Sequence, residues 1–372
     1  MADRDRIIKD FLDLSAIDSE SFRERDFANV LIEKLKNLGL HPLQDASMET
    51  TGSNTGNVFV LWPGEGNDSS VLLSAHMDTV QPGKSKKPVI DEKEGIIKSD
   101  GSTVLGADDV AGIVEILEAI RILQESNRKH KTAELLFPVA EEAYTKGSSA
   151  FDYSRVLAKE AYCLDLSGHV GKAAVKAPTL ISFRIAVHGK ASHAGFAPKE
   201  GINAIAVTAK AIAGIPQGQV DEESTLNFGI LHGGKLTNIV PDEVCAEGEI
   251  RSFRHERALE LLEKVRSVFE KTAKDAGAVT EIQSEIHLTA YERNENEEVV
   301  TRFKKAAERI GIRPETVKTM GGSDNHSFNQ NGIKGIVLSC GMQNVHTTEE
   351  FIEIADLLSG ADLIAELLAT DE

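Results

Sequence analysis

Cysteine is scarce in this sequence of 372 residues. Only Cys163, Cys245 and Cys340 occur, far apart and without a Cys-x-x-Cys pair. An odd number of widely spaced cysteines argues against a disulfide framework and is typical of a reducing compartment. It also argues against a zinc site built from cysteine, so any metal has to be held by histidine and carboxylate side chains.

Positive charge and long apolar runs are lacking as well. The chain has 59 acidic and 41 basic residues, and a formal net charge of -18. Such a chain repels phosphate backbones, which argues against nucleic acid as a partner. No apolar run approaches the roughly 18 residues that span a bilayer, and the opening MADRDRIIKD lacks the apolar core of a secretory signal. We expect a cytoplasmic protein that binds neither nucleic acid nor membranes.

Short apolar strands alternate with amphipathic helices over most of the chain. Strands are predicted at 57–62, 71–73 and 135–139. A core-facing helix is predicted where apolar residues recur at helical spacing, at Val110, Ile113, Val114, Leu117 and Ile120. This alternation predicts an α/β fold with a mostly parallel sheet sandwiched by helices.

The pattern changes near residue 175. Apolar residues then alternate with polar or small ones, as in a sheet with one solvated face, at Ile181, Phe183, Ile185 and Val187. After about Leu288 the first pattern resumes. Because 372 residues exceed what one core usually serves, two domains are expected. We predict a main domain of residues 1–174 and 290–372, interrupted by an inserted α+β domain at 175–289.

Side chains that bind metals recur where predicted strands end. His76 and Asp78 follow one strand, and residues two apart face the same way, so His76 could bind a metal while Asp78 orients its ring. Glu141 and Glu142 follow another strand, so one could bind a metal while its neighbour carries protons. Further candidates that alone would be interpreted as loop residues are Asp165, Asp324 and His346.

Each of these motifs alone has an ordinary structural explanation. Asp109 is suited to cap the helix that follows it, and Asp108 fits that role or a metal-binding role equally well. Together they favour a site, because ligands bind beyond the carboxyl ends of strands in open α/β sheets. Histidine and carboxylate ligands suit catalytic zinc, and an aspartate that bridges two ions would form a two-metal hydrolytic centre.

The combined motifs resemble those of the di-zinc exopeptidase family, which includes peptidase T, carboxypeptidase G and the aminoacylases. The resemblance runs in order along nearly the whole chain and is closest to peptidase T at GSTVLGADDVAG (101–112) and GGSD (321–324). It implies a catalytic main domain with two zinc ions per subunit, although the same ligands also accept Co²⁺ or Mn²⁺.

The resemblance implies a role for each candidate residue. The implied ligands are His76 and Asp165 for one zinc ion, Glu142 and His346 for the other, and Asp108 as the bridge. Asp78 would orient His76. Glu141 would be the general base that carries a proton from the attacking water to the leaving amine.

The insert also carries motifs of this family. GKASHAG at 189–195 implies that His193 stabilises the oxyanion, from its own subunit or from a partner. TNIVPD at 237–242 and EIR at 249–251 imply that Asn238 and Arg251 hold the substrate, together with Asp324 of the GGSD element. A surface ion pair is the alternative for Arg251. The insert would act as a lid and would join two subunits in a homodimer.

One position departs from peptidase T, which has an arginine just before its GG(S/T)D element, where this chain has Met320. The leading hypothesis is an aminopeptidase or tripeptidase that hydrolyses short peptides. An amidohydrolase of the aminoacylase type, which cleaves N-acyl amino acids, is the alternative that the methionine keeps open. A metal-binding protein without catalysis is the third, and the complete set of motif residues argues against it.

Overall fold

The computed structural model describes residues 1–65 and 70–370. The chain divides into two compact units. Unit 1 comprises Met1–Lys176, Glu292–Lys318 and Ser323–Glu372, and unit 2 comprises Ala177–Tyr291 and Thr319–Gly322. The second unit therefore interrupts the first along the sequence.

The helices, in chain order, are α1 (Arg4–Ser15), α2 (Arg25–Asn37), α3 (Met48–Thr51), α4 (Ala107–Ser126), α5 (Lys146–Ser149), α6 (Ala204–Ala213), α7 (His255–Ala276), α8 (Glu298–Arg309), α9 (Asn325–Gln330) and α10 (Ile354–Leu368). The strands are β1 (Leu43–Gln44), β2 (Val58–Trp62), β3 (Val71–Ser74), β4 (Val89–Asp91), β5 (Ile96–Lys98), β6 (Ala133–Phe137), β7 (Glu160–Leu166), β8 (Lys172–Ala177), β9 (Thr179–His188), β10 (Ser192–His193), β11 (Gly218–Asp221), β12 (Ser224–Gly233), β13 (Ile239–Val240), β14 (Glu243–Ser252), β15 (Val279–Leu288), β16 (Tyr291–Glu292), β17 (Glu315–Lys318), β18 (Lys334–Ser339), β19 (Met342–Gln343) and β20 (Phe351–Glu353).

The main sheet of unit 1 has the strand order β1-β2-β6-β3-β7-β18-β8-β16, with β17 beside β8. Its central strands β6, β3, β7 and β18 run parallel to one another. The antiparallel pairs lie on either side of this centre. The α/β fold predicted from the sequence, with a mostly parallel central sheet, is confirmed.

The two faces of this sheet bury different side chains, as the alternation along a strand requires. In β3, Val71 and Leu73 enter the large core that also contains α1, α4, α8 and α10, whereas Leu72 packs into a smaller core on the other face. Burial on both faces explains why the central strands are apolar at nearly every position rather than at alternate ones.

Unit 2 contains a five-stranded antiparallel sheet of order β11-β12-β14-β9-β15. Ile181, Phe183, Ile185 and Val187 of β9 point into a core with α6 and α7, while Arg184 between them is exposed. The alternation predicted for this segment is therefore confirmed. In the described part of the chain, none of the helices combines the length and the apolar composition that crossing a bilayer requires.

Candidate metal centre

Three neighbouring parallel strands of unit 1 carry candidate site residues at or just beyond their carboxyl ends. His76 follows β3, and Glu141 and Glu142 follow β6. Asp165 is the second-to-last residue of β7. Since β6, β3 and β7 are adjacent and parallel, their carboxyl ends meet at one edge of the sheet. This is the position at which open α/β sheets bind their ligands.

Asp108 connects two histidines from distant parts of the sequence. Its Oδ1 lies 3.0 Å from Nε2 of His76, and its Oδ2 lies 3.2 Å from Nε2 of His346. The same His346 nitrogen lies 2.9 Å from Oε1 of Glu142. One aspartate therefore faces two separate histidine nitrogens, one with each of its oxygens, as a bridging ligand would.

Two groups of metal-type atoms result, each with all its atoms within 4.8 Å of one another. One consists of His76, Asp108 and Glu142, and the other of His76, Glu141 and Asp165. All five are nitrogen or oxygen donors, which is the donor set of catalytic zinc sites without cysteine. One nitrogen of His76 can serve only one cation, but Nε2 of His346 also faces Asp108 and Glu142. With both histidines, the residues present fit a pair of divalent cations.

The pKa shifts of these side chains reflect the negative charge that the carboxylates bring together at this site. Burial, together with neighbouring acidic groups, raises the pKa of Glu141 and Asp165 well above the usual range. The hydrogen bonds that His346 donates to the carboxylates of Asp108 and Glu142 raise its pKa to about 10. Burial opposes the change at His76, but hydrogen bonds to Asp108 and Asp78 still raise its pKa. The gathered negative charge that shifts these pKa values is the charge that bound metal ions would offset.

His76 is oriented from its Nδ1 side. That nitrogen lies 2.9 Å from the backbone oxygen of Asp78, to which it can donate its proton. Nε2 is then the nitrogen that faces Asp108 and is available to a metal. The ring is almost completely buried, so it has little freedom to turn away.

Asp78 also holds the loop of the two glutamates. Its Oδ1 accepts a hydrogen bond from the amide of Glu141 at 2.9 Å, and its Oδ2 accepts one from the amide of Glu142 at 3.2 Å. The hydroxyl of Ser21 donates to Oδ2 at 2.7 Å. Within residues 1–65 and 70–370, the carboxylate of Glu141 itself accepts no hydrogen bond, so it is free to exchange a proton.

Asp109 combines the capping role expected of it with a contact that the sequence did not reveal. Its Oδ1 accepts a hydrogen bond from the amide of Gly112 at 3.2 Å, three residues on, as a helix cap does. Its Oδ2 accepts one from the backbone amide of His76 at 3.1 Å. A Cβ at Gly112 would lie 2.7 Å from Asp109 Oδ1, which explains why the motif ends in glycine.

Two further buried glutamates support the site and were not anticipated. Glu24 accepts hydrogen bonds from the amide of Ala140 at 3.0 Å and from the hydroxyl of Ser53. Glu350 accepts hydrogen bonds from backbone amides just before Asp108. Burial raises the pKa of Glu350 to about 7. In the sequence both look like ordinary loop glutamates, because nothing there shows which backbone they face.

Asp324 is buried at the start of α9, and its Oδ1 has no hydrogen-bond partner among the described residues. Burial, followed by the charge of Asp78, raises its pKa to about 7 against the effect of a hydrogen bond with Ser148. The charge of Asp324 also acts on Glu141. The sequence-predicted Asp324 thus lies close enough to the glutamate loop to influence it.

In unit 2, His193 is exposed and stacks on Phe196 with ring centroids 4.3 Å apart. Its Nδ1 accepts hydrogen bonds from the backbone amides of Gly195 and Phe196, both at 3.1 Å. When the ring is neutral, its proton therefore lies on Nε2, which becomes a hydrogen-bond donor.

Arg251 forms the ion pair considered as its alternative role. Its guanidinium donates to both carboxylate oxygens of Glu249, at 2.8 and 3.3 Å, and to the backbone oxygen of Met320 at 2.7 Å. Asn238 is exposed, and its backbone oxygen accepts a hydrogen bond from the amide of Ala194 at 2.9 Å.

Comparisons with known proteins agree with the character of this site. Residues 72–370 match the model of Peptidase family M20/M25/M40. The uncharacterized protein YqjE of Bacillus subtilis (strain 168) is 38% identical over 368 residues, which cover 99% of each chain. The crystal structure of aminopeptidase PepT from Bacillus cereus ATCC 10987 has 37% identity and a TM-score of 0.92, covering 99% of this chain and 98% of that one. A tripeptidase from Staphylococcus aureus subsp. aureus Mu50 has 35% identity and a TM-score of 0.96, with the same coverage.

The chain belongs to Peptidase family M20/M25/M40. Within that family it is a peptidase T-like member, a metal-dependent exopeptidase, as the resemblance of its motifs implied.

Proposed function

We propose that this chain is an aminopeptidase that releases residues from short peptides at a centre of two zinc ions. The ligands would be His76, Asp165, Glu142 and His346, with Asp108 as the bridge. The observation that carries the proposal is the position of Asp108, whose two oxygens face the Nε2 atoms of His76 and His346 at 3.0 and 3.2 Å. Zinc is the choice that this donor set favours, and Co²⁺ or Mn²⁺ would fit the same ligands.

Glu141 is the proton carrier in this proposal. Zinc bound at the site would lower the pKa of water towards about 7 and polarise the scissile carbonyl. The free, buried carboxylate of Glu141 accepts the proton of the attacking water and returns it to the leaving amine. Asp78 holds Glu141 in position, because its carboxylate accepts a hydrogen bond from the backbone amide of Glu141.

The groups that recognise the substrate are proposed from the family resemblance. His193 would stabilise the oxyanion with the Nε2 proton that its backbone contacts favour. Arg251 and Asn238 would bind the carboxylate or backbone of the peptide, and Asp324 would contribute a polar group near the base. Since Arg251 already donates to Glu249 in a forked geometry, a substrate carboxylate has to compete with that ion pair.

Deacylation of N-acyl amino acids is the second candidate, and Met320 favours it. An apolar side chain stands where peptidase T has an arginine, and the backbone oxygen of Met320 accepts a hydrogen bond from Arg251. In an N-acyl amino acid the carboxylate lies on the residue directly after the scissile amide, one residue nearer than in a tripeptide. The group that binds it therefore need not stand at position 320.

We also propose that the inserted segment 175–289 acts as a lid and joins two chains in a homodimer. One edge strand of its sheet, β15 (Val279–Leu288), is long, and an exposed edge can pair with a second copy. Light scattering of the purified protein tests this, since a monomer at micromolar concentration would exclude the dimer.

A cytoplasmic location completes the proposal. The three cysteines are all unpaired in the structure, as a reducing compartment would keep them. Cell fractionation tests this directly, because recovery in an oxidising compartment would contradict it.

A matched set of substrates tests the function. A free dipeptide, a free tripeptide, an N-acetyl amino acid and an N-blocked peptide are each assayed with zinc, with chelator and with Glu141→Gln. Glu349→Gln serves as the control, because that exposed glutamate lies outside the site. We expect chelator-sensitive cleavage of the free peptides that Glu141→Gln abolishes. Cleavage of the acetylated amino acid alone would establish the second candidate instead, and cleavage of none would refute both.

A further inference from the structure

We propose that Glu350 is a positioning residue of the metal centre, which holds the segment of the bridging ligand Asp108 against the segment that carries His346. The inference rests on the proposed function, since it takes these residues as metal ligands. Among the described residues, the carboxylate of Glu350 accepts hydrogen bonds from backbone amides and none from a proposed ligand side chain. It acts through the backbone that presents these ligands.

The carboxylate of Glu350 collects three backbone amides of one short segment. Its Oε2 accepts hydrogen bonds from Leu105 at 2.6 Å and from Gly106 at 2.8 Å, and its Oε1 accepts one from Asp108 at 3.0 Å. The third of these amides belongs to the bridging residue itself. Hydrogen bonds from amides to a charged acceptor are stronger than neutral ones, so this contact fixes the backbone of Asp108 firmly.

The local backbone makes such an external acceptor necessary. Gly106 is in the left-handed region with φ of 77°, and Asp108 and Asp109 have non-helical torsion angles although they stand at the start of α4. The amides of this irregular stretch therefore cannot all bond to one another, and a buried amide without a partner is costly. Glu350 supplies the acceptor from a point 242 residues further along the chain.

Glu350 is itself anchored beside His346. It stands four residues after that histidine, and its amide lies 3.3 Å from the backbone oxygen of Thr347. Its backbone oxygen accepts a hydrogen bond from Ser99 at 3.0 Å, and β20 begins at the next residue. His346 has φ of 64°, which a non-glycine residue rarely adopts, so the surrounding loop has to hold it there. One side chain thus links the Asp108 segment to the His346 loop.

The burial of Glu350 adds weight to this role. The residue is only 1% exposed, whereas its neighbour Glu349 is exposed. A buried carboxylate is expensive unless hydrogen bonds or cations compensate it. Three amides provide part of that compensation, and cations held by Asp108 would provide more. Glu350 therefore has a reason to favour the metal-loaded form beyond its support of the fold.

Two substitutions separate the geometry of Glu350 from its charge. Glu350→Gln keeps the size but loses the charge and presents an amide nitrogen to backbone donors. Glu350→Asp keeps the charge but withdraws the carboxylate by one methylene. Glu349→Gln is the matched control, since it makes the same chemical change one residue away on the surface. For each full-length variant, the zinc affinity is measured by competition with a chromophoric chelator, and the visible spectrum is measured after Co²⁺ is bound.

We expect both Glu350 variants to bind zinc about 10- to 100-fold more weakly than the parent, with an altered Co²⁺ spectrum, as is usual when support of a metal ligand is lost. The control should match the parent. Wild-type affinity in Glu350→Asp would overturn the positioning role and leave only an effect of charge. An unchanged Co²⁺ spectrum in both variants, with a loss of thermal stability in the metal-free protein, would also overturn it in favour of a purely structural role.

The readouts keep this inference separate from the proposed function. If the parent binds zinc but hydrolyses no substrate, the proposed function fails while the comparison of metal affinities still decides the role of Glu350. If Glu350→Gln does not accumulate as folded protein, Glu350→Asp alone decides whether Glu350 is a positioning residue. This variant keeps the charge, so weaker zinc binding in it can come only from the changed geometry.

Discussion

Replacing Asp78 with asparagine tests whether the loop of Glu141 and Glu142 is held for catalysis. The aspartate accepts one backbone amide on each oxygen and the hydroxyl of Ser21 as well. Asparagine has nearly the same shape but has only one oxygen. Its NH2 group must face either the amide of Glu141 or that of Glu142, where donor meets donor. The loop should therefore shift while the fold is retained.

The magnitude follows from the hydrogen bonds that are lost. A hydrogen bond to a charged group contributes about 1.5–3 kcal/mol, and a neutral one about 0.5–1.5 kcal/mol. Losing one charged contact should therefore cost about 1.5–3 kcal/mol in the placement of Glu141. Since about 1.4 kcal/mol corresponds to a factor of ten, kcat/KM should fall roughly 10- to 150-fold. Ser21→Ala removes one neutral donor and leaves the carboxylate, so its effect should be much smaller.

The assay compares kcat and KM for the preferred peptide at saturating zinc in the parent, Asp78→Asn and Ser21→Ala. We expect the loss in kcat, because the substrate is still bound when the base is misplaced. Thermal unfolding monitors the fold. Parent-like kcat in Asp78→Asn would refute the reasoning, as would an equal loss in both variants.

Three more predictions follow from single contacts. Because the pKa of His346 is raised to about 10, a metal ion has to displace a proton from it. As the pH is lowered from 8 to 6, the zinc affinity should therefore fall about tenfold per pH unit for each proton that binding releases. Chelator competition at several pH values checks this, and a flat profile would contradict it. Burial raises the pKa of Glu115 well above its ordinary 4.5, so its ionisation opposes folding and stability falls as the pH rises above that value. Glu115→Gln should therefore raise the free energy of unfolding in urea more at pH 8 than at pH 5, and an equal change at both would count against the explanation. Gly112→Ala should cost about 1–3 kcal/mol of stability, because a Cβ there would lie 2.7 Å from Leu164 Cβ. Gly229→Ala, whose Cβ would meet only one side-chain atom at 3.4 Å, is the control, and equal losses would show that the contact is not the cause.

Much of the fold could be predicted because local periodicity reflects burial. The apolar stretches at 71–73 and 135–139 lie in or overlap strands β3 and β6, and the helical spacing from Val110 to Ile120 lies within α4. The site residues could be proposed for a related reason. Parallel strands bring their carboxyl ends together, so polar residues that follow several apolar strands are expected to meet there.

The supporting contacts could not be predicted, because they depend on long-range geometry that leaves no local pattern. Glu24 and Glu350 are far in sequence from the backbone amides that they accept, and each stands among other acidic residues of similar appearance. Asp109 was interpreted correctly as a helix cap, but its contact with the amide of His76 crosses 33 residues. A capping pattern cannot reveal a second partner of that kind.

The partner of Arg251 illustrates a different limit. Glu249 stands two positions before it on β14, where alternate residues face the same way, so the ion pair was open to inference from spacing alone. A surface ion pair was accordingly one of the two roles predicted for Arg251, beside the substrate contact that the resemblance implies. The contact with the backbone oxygen of Met320, 69 residues away, could not be inferred from either.

The most direct test of the central claim is the zinc stoichiometry of the parent, Glu141→Gln and Asp108→Ala, measured by calorimetric titration of metal-free protein together with elemental analysis. A centre bridged by Asp108 predicts two zinc ions per chain in the parent and in the inactive Glu141→Gln, and fewer in Asp108→Ala. A parent that binds one zinc ion or none, or an Asp108→Ala variant that keeps two with parent-like affinity, would contradict the account.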